Sequence, residues 1–404
     1  MTVDVIVVGA GIAGASTAWH LAERGASVLV LESAAQPGSG ASGNPVAILY
    51  PKLVPAQHLD GHLQSQAFLR ALKTLQDPRL SPHFLRCGVL WLAGRKPVVD
   101  MDSRHPWWQT QVWPVTAAEA GAHAGLTLST GGWWLPNGGL LHPAGLLAAL
   151  LAHPRIQVRT ACRVLGLRPV AGNTGAGMAP GWQVHTSTGE LEAASVVIAN
   201  AGDALALPQT ATLPLSPVRG QITTFSGASA QRAVLCYGGY LSPSWRGLQC
   251  LGATFQPGRV DDALDDSDDR VNLQTLAALL PDVARALADS PRGPSRTSVR
   301  WQTTDYLPLM GELPDLARYR DWLLQRKPKK GLRAPADPDS PRLFVSVGHG
   351  AKGFTQAWFG AELIAAQWAG AEPELPADLI AQVRPERFLE KAWRRGELTV
   401  PAQG

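Results

Sequence analysis

Residues 2–33 read TVDVIVVGAGIAGASTAWHLAERGASVLVLES. Residues 2–8 are an apolar, β-branched run, the composition of a strand buried on both faces. The run passes directly into Gly9, Gly11 and Gly14, spaced as GxGxxG. Residues 15–24 have helical composition, Gly25 ends them, and 26–31 read as a second strand closed by Glu32 and Ser33. Each part has a task in holding a dinucleotide. Gly9 permits the tight turn, Gly11 lets the backbone approach a pyrophosphate, and Gly14 lets helix and strand pack closely. Ile12 and Ala13 open the helix, whose unpaired N–H groups and positive dipole end favour the pyrophosphate. The Glu32 carboxylate suits a ribose 2′-OH and repels a 2′-phosphate. Glycine-rich turns are common, so GxGxxG alone is weak; the ordered strand, glycines, helix, strand and acid decide the fold.

A chain of 404 residues can bury a large core and is expected to divide into two domains. Hydrophobic content of 45% with 17% charged residues excludes a disordered chain. The net charge of +4 accommodates an anionic partner without demanding one. Cys87, Cys162, Cys236 and Cys250 are scattered, with no CxxC or Cys/His spacing, so neither a zinc site nor a disulfide framework is expected and a reducing cytoplasm fits. The most apolar stretch, 140–151, is too short for a membrane span and is interrupted by His142, Pro143 and Gly145. The N-terminus lacks the basic leader of a signal peptide.

A polar loop follows Glu32 over 33–45, and a loop this long inside a compact domain is usually functional. Helices are expected over 60–76 and 144–152, with a short one within 107–125. Strands are expected at 84–93, 157–168 and 182–187, the last two separated by a glycine-rich turn over 172–181. The apolar run 196–199 ends in Asn200, Ala201 and Gly202, and reads either as a central strand meeting a cofactor or as a strand that simply turns. Residues 217–225, 233–240 and 248–255 have the pattern of an antiparallel sheet. The acidic run 261–269 reads as a solvated loop and dipole partner for a helix over 270–288. Near the far end, the strand 343–347 meets Gly348, His349, Gly350, Ala351, Lys352 and Gly353, which open a helix over 354–369. This predicts a mixed α/β (α+β) fold. A discontinuous Rossmann-type nucleotide domain (1–83, 139–214 and 297–404) is covered by an antiparallel-sheet substrate domain (84–138 and 215–296).

These motifs together resemble the FAD-dependent amine oxidoreductases of the D-amino-acid/glycine oxidase type. General marks are Gly9, Gly11, Gly14 and Glu32, the 196–202 segment, the 348–353 loop, and Arg300 with Asp305, Pro308 and Gly311. More specific marks are the runs ASGNPVAILYPK (41–52) and PVRGQ (217–221), Glu374 to Pro376, and Pro385 to Phe388. These are similar to the oxidase domains of the MnmC type of tRNA-modification protein, and the resemblance covers nearly the whole chain.

The resemblance implies non-covalent FAD. It places Ala41, Ser42 and Gly43 at the isoalloxazine edge, and Val164, Ala201 and Gly202 along the cofactor. Gly348, Gly350, Lys352, Gly353 and Phe354 fall near flavin N1/O2. It implies Arg300 as the group that binds a substrate carboxylate, since a guanidinium can hold both oxygens. Arg219 is a second candidate, or a tRNA contact, or simply part of the sheet; Tyr240 caps the carboxylate or lines the pocket. The implied reaction removes the carboxymethyl group from 5-carboxymethylaminomethyl-(2-thio)uridine at the tRNA wobble position. The chain starts at the glycine fingerprint, so a separate methyltransferase is an expected partner. For the tRNA anticodon arm, basic residues gather at Arg326 to Lys330 with Arg333, and at Arg384, Arg387, Lys391, Arg394 and Arg395. Two other functions stay open: an oxidase of free glycine, sarcosine or a small D-amino acid, and a non-catalytic flavin-bearing tRNA-binding subunit.

Overall fold

In the computed structural model, the Val3–Val8 strand is flanked on both sides by parallel neighbours, Val28–Leu31 and Gly189–Ile198. Its apolar run is buried as the composition predicts, with Val5, Ile6 and Val7 fully enclosed. The structure describes residues 3–55, 58–93, 106–172, 180–227, 229–327 and 340–398. Around this strand an eight-stranded sheet forms, with Ile156–Arg159 at one edge and Val164–Val170 at the other. Arg342–Val347 joins beside Gly189–Ile198 in parallel, and Leu309–Glu312 adds antiparallel to it. The first and last parts of the chain therefore build one sheet.

Helices Ile12–Glu23 and Gly353–Trp368 pack on each other over one face of that sheet. Both are rich in small residues, so their backbones approach closely. Their buried side chains share a core with Val5, Val7, Val28 and Val30. The other face is closed by Trp182, Leu207, Leu213 and Leu313.

The middle of the chain forms a nine-stranded, mainly antiparallel sheet around the twelve-residue strand Leu215–Ser226. Its longest partner is Arg296–Thr303, which the sequence reading did not assign. That strand is too polar to show an apolar period, and only Thr297 and Thr303 are buried. Strand Gly132–Leu135 and helix Leu316–Leu324 were likewise not read from sequence.

Three expected elements divide. The helix expected over 270–288 is two, Asp266–Ala277 and Pro281–Ala288, because Pro281 has no N–H to continue the first. The strand expected at 84–93 breaks at Gly88, which has φ +76°, into Phe84–Leu85 and Val89–Leu92. The strand expected at 157–168 is Ile156–Arg159 and Val164–Val170, at opposite edges of the first sheet. Conversely, 196–199 is the end of one ten-residue strand, Gly189–Ile198. Most of the turn expected over 172–181 lies outside the described residues.

Candidate functional site

Two helix N-termini meet at one place. The first strand ends at Gly9, whose φ is +102°; a Cβ there would lie 2.7 Å from the Ala199 carbonyl oxygen. A Cβ on Gly14 would lie 1.9 Å from the Gly9 oxygen, so only glycine lets the helix sit on the turn. That helix has Gly11 as N-cap, with no acid in its first turn. Helix Gly353–Trp368 starts likewise at Lys352, with no capping side chain and no acid. A Cβ on Gly353 would lie 3.4 Å from Ile12 Cγ2. Two helix N-termini therefore present backbone N–H groups to the same space.

That space is a cavity of about 820 Å³. Gly9, Gly11, Ile12, Ala13, Glu32, Ser33, Ala41, Ser42, Val164, Ala201 and Gly202 line it along one length. Gly348, Gly350, Lys352, Gly353, Phe354, Tyr240 and Arg300 line the rest. Glu32 reaches it with both carboxylate oxygens engaged, accepting from Ala10 N at 2.8 Å and Ala34 N at 2.9 Å. Ser42 Oγ accepts from Ile12 N at 3.0 Å, tying the long polar loop to the helix start. Arg296, which the sequence reading missed, holds the same loop from the second sheet. It donates to Asn44 Oδ1 and to the carbonyls of Ser39 and Gly40. Gly43 lies behind the cavity wall, where a Cβ would meet the Gly38 oxygen at 2.3 Å and Arg296 Nη2 at 2.7 Å. Gly14 likewise supports the wall from behind.

At the far end lie two partly buried cations, Arg300 and Lys352. The Arg300 guanidinium donates to the Thr254 carbonyl at 2.9 Å and the Arg219 carbonyl at 3.5 Å, and its Nε has no partner. Among the described residues no carboxylate forms an ion pair with it. Lys352 Nζ donates to Tyr50 Oη at 2.6 Å, and burial lowers its pKa to about 8. Tyr50, unassigned from sequence although it sits in the quoted 41–52 run, is half-buried, and desolvation pushes its phenol pKa upward. Burial also pushes the Tyr240 phenol upward. His349 lines the cavity with Nδ1 unpartnered; burial lowers its pKa to about 4, so it is neutral at physiological pH. Trp301 was also missed. It lies against Gly202, where a Cβ would come within 1.9 Å of the indole.

The structure does not bring Arg219 to this cavity. Its side chain is fully buried, paired with Asp268 and with Asp261, and donates to Gln256 Oε1 and the Ala263 carbonyl. Of the readings open for Arg219, holding the sheet is the one its contacts match. Asp268 also departs from the solvated acidic run expected there, being buried at 2% exposure. The basic tail is ion-paired, and only part of it is buried. Arg387 is buried, donating to Asp305 and to the Leu307 and Pro308 carbonyls. Lys391 pairs with Asp305, Arg384 and Arg394 pair with Glu390, and Arg395 lies 4.0 Å from Glu397. The Lys391, Arg394 and Arg395 side chains keep 45%, 48% and 69% exposure beside these carboxylates. Of the other basic group, Arg326 stacks on Trp322, and 328–333 lie outside the described residues.

The residues present fit FAD. The cavity brings together a glycine cradle with no room for Cβ atoms, two uncapped helix ends for anionic groups, and Glu32 at the ribose position. Among the described residues there is no cluster of His, Cys, Asp or Glu suited to a metal ion, and no helix long and apolar enough to cross a membrane.

A family model described as FAD dependent oxidoreductase matches residues 4–367. The chain is 36% identical over 398 residues to the tRNA 5-methylaminomethyl-2-thiouridine biosynthesis bifunctional protein MnmC of Methylobacillus flagellatus, covering 95% of this chain and 59% of that protein. It is 35% identical to the same-named protein of Chromobacterium violaceum, with 96% and 59% covered. The chain thus spans less than two thirds of the length of these curated relatives. Among solved structures, glycine oxidase from Geobacillus kaustophilus superposes with TM-score 0.74 at 23% identity, covering 96% of this chain and 99% of that one. L-proline dehydrogenase from P. horikoshii superposes with TM-score 0.73 at 17% identity, covering 98% and 99%. These structures share the fold.

Proposed function

The chain belongs to the FAD-dependent oxidoreductase family, and from that premise we propose that it oxidises the carboxymethyl side of a secondary amine carried by tRNA. The substrate is 5-carboxymethylaminomethyl-(2-thio)uridine at the wobble position, and the product is 5-aminomethyl-(2-thio)uridine. The observation that carries this reading is Arg300, a guanidinium in the cavity wall whose Nε is buried without a partner and whose hydrogen-bond acceptors among the described residues are carbonyl oxygens. A buried cation without a counter-ion is costly, and a ligand carboxylate removes that cost. An N-substituted glycine offers such a carboxylate one bond from the methylene to be oxidised. The names of the relatives supply the tRNA setting.

FAD, when bound, supplies the two-electron redox chemistry. The chain's residues do the rest. Arg300 fixes the carboxylate, which orients the adjacent methylene. One C–H bond of that methylene breaks and leaves with its electron pair, while the nitrogen lone pair forms the C=N bond. Water then adds to the imine, and breaking the C–N bond releases glyoxylate and the primary amine. The amine must be neutral to react, and the cations of Arg300 and Lys352 in the same cavity disfavour a further positive charge nearby.

For the domain division we propose the boundaries drawn from sequence except at 297, because Arg296–Thr303 pairs with Leu215–Ser226 and moves to the second domain. The cytoplasm, where tRNA is, is the compartment this reading requires.

The test is stopped-flow flavin reduction with tRNA bearing the carboxymethylaminomethyl group, and separately with glycine and sarcosine. Reduction by the tRNA should be fast and should weaken as salt rises, because neutralised phosphates release counterions. Fast reduction by glycine with none by that tRNA would replace this reading with a free amino-acid oxidase.

A further inference from the structure

We propose that Phe255 is the platform on which the uracil ring of the substrate stacks while its carboxylate reaches Arg300; this rests on the reading just given. Phe255 lines the cavity, yet it is 55% exposed. The Arg300 Cζ lies 5.7 Å from the centroid of its ring. In the substrate, four bonds separate the carboxylate carbon from C5 of the base, about 5 Å when extended. A carboxylate on Arg300 therefore leaves the base level with Phe255.

The ring is exposed, but its backbone is held. On one side, Thr254 accepts from Arg300 through its carbonyl at 2.9 Å and from Gln221 N through Oγ1 at 2.9 Å. On the other, Gln256 accepts from Arg219 Nη1 at 2.7 Å and donates to Asp268 Oδ1 at 3.0 Å. Arg219 and Asp268 are themselves a buried pair. An apolar ring left in water while both neighbours are anchored is preorganised for a ligand with a flat apolar face.

Glycine and sarcosine have no atoms to cover that ring; a nucleobase does. Single-stranded RNA is commonly read by stacking splayed bases on aromatic side chains. The segment that follows strand Gln256–Pro257 carries Val260 at 64% and Leu264 at 61% exposure, and neither is in the cavity wall. Its charged members include Asp261, paired with Arg259 and Arg219, and Asp265, which caps the following helix.

The experiment compares two substrates on the holoenzyme: an anticodon stem-loop carrying 5-carboxymethylaminomethyluridine, and sarcosine. Phe255→Ala should raise the KM for the stem-loop about tenfold, the loss of one stacked base, with a smaller change in the limiting rate of flavin reduction. The ratio of kcat/KM for stem-loop over sarcosine should fall by a similar factor, and Phe255→Trp should restore it. Equal losses on both substrates would show that Phe255 only supports Arg300, overturning the proposal. So would an unchanged ratio, or full rescue by Phe255→Leu, which restores bulk without a π-face. Reduction of the wild type by sarcosine and not by the stem-loop would instead defeat the wobble-uridine reading itself.

Discussion

Lys352 Nζ lies 2.6 Å from Tyr50 Oη and 4.2 Å from the centroid of the same ring, joining positions 302 residues apart at the inner end of the cavity. The ammonium has been taken out of water and given a phenol, not a carboxylate. Desolvation is the main cause of its lowered pKa; Arg300 lowers it further, and Cys236 opposes.

That arrangement has a sign. The folded value is about 8 against an ordinary 10.5, so the unfolded chain binds more protons between those limits and stability rises with pH there. Below about pH 8 the buried cation costs its full amount, roughly 3 kcal/mol. In flavin-free protein, Lys352→Met should therefore unfold at a higher temperature than wild type at pH 7. The gap should close between pH 8 and 10.5. Equal midpoints at pH 7 would show that Lys352 is not a buried cation.

Arg300→Ala should retain bound flavin, read from its absorbance, while losing most of kcat/KM for the carboxylated amine. Losing one partner of a desolvated charge pair costs roughly 2–5 kcal/mol. Arg300→Lys should recover little, because an ammonium cannot hold two oxygens in a plane. A near-wild-type rate in Arg300→Ala would remove the residue from the site.

Gly202 leaves no room for a Cβ beneath Trp301. Gly202→Ala should push the indole into the cavity and weaken FAD retention on dilution. Adding Trp301→Ala to that variant should restore part of the retention, since the obstruction is gone. If the double variant holds FAD no better than Gly202→Ala alone, Gly202 matters for its backbone and not for this contact.

The Arg219–Asp268 pair predicts a stability effect where the sequence suggested a substrate contact. Asp268→Ala strands a buried guanidinium and should cost about 3–5 kcal/mol in chemical denaturation. Asp268→Ala with Arg219→Met should regain a good part of it, because no unpaired charge remains. A double variant as unstable as Asp268→Ala would argue that the lost hydrogen bonds, not the charge, dominate.

Asp305 anchors the C-terminal helix Arg387–Arg394. Burial alone would raise its carboxyl, but hydrogen bonds from Arg387 and Lys391 outweigh it and hold the group below the ordinary carboxylate range. A depressed acid contributes stability above its unfolded value, near 3.9, and loses it as pH falls toward the folded one. Asp305→Asn should thus lower the unfolding midpoint at pH 7, with the difference shrinking below about pH 4. A constant difference across that range would separate the anchor from charge.

The sequence by itself determined the nucleotide half of this protein. Gly9, Gly11, Gly14 and Glu32 stand in one local strand–turn–helix–strand unit, where spacing along the chain dictates spacing in space. The 348–353 loop was legible for the same reason. What the sequence could not show is which distant side chains meet. Arg219 and Arg300 are similar residues on neighbouring antiparallel strands, with Arg300 registered opposite Val218. Only the pairing of Leu215–Ser226 with Arg296–Thr303 decides that one guanidinium reaches the cavity and the other faces Asp268. Arg296, Trp301, Tyr50 and Phe255 acquire their places in the same way, through register between segments far apart in sequence. In the basic tail, a run of positive charge looks uniform along the chain, and folding packs Arg384 and Arg387 against Glu390 and Asp305 while Lys391 and Arg394 stay near the surface. Local geometry is written in neighbouring residues, whereas charge pairing and burial are properties of surfaces that exist only once the sheets have closed.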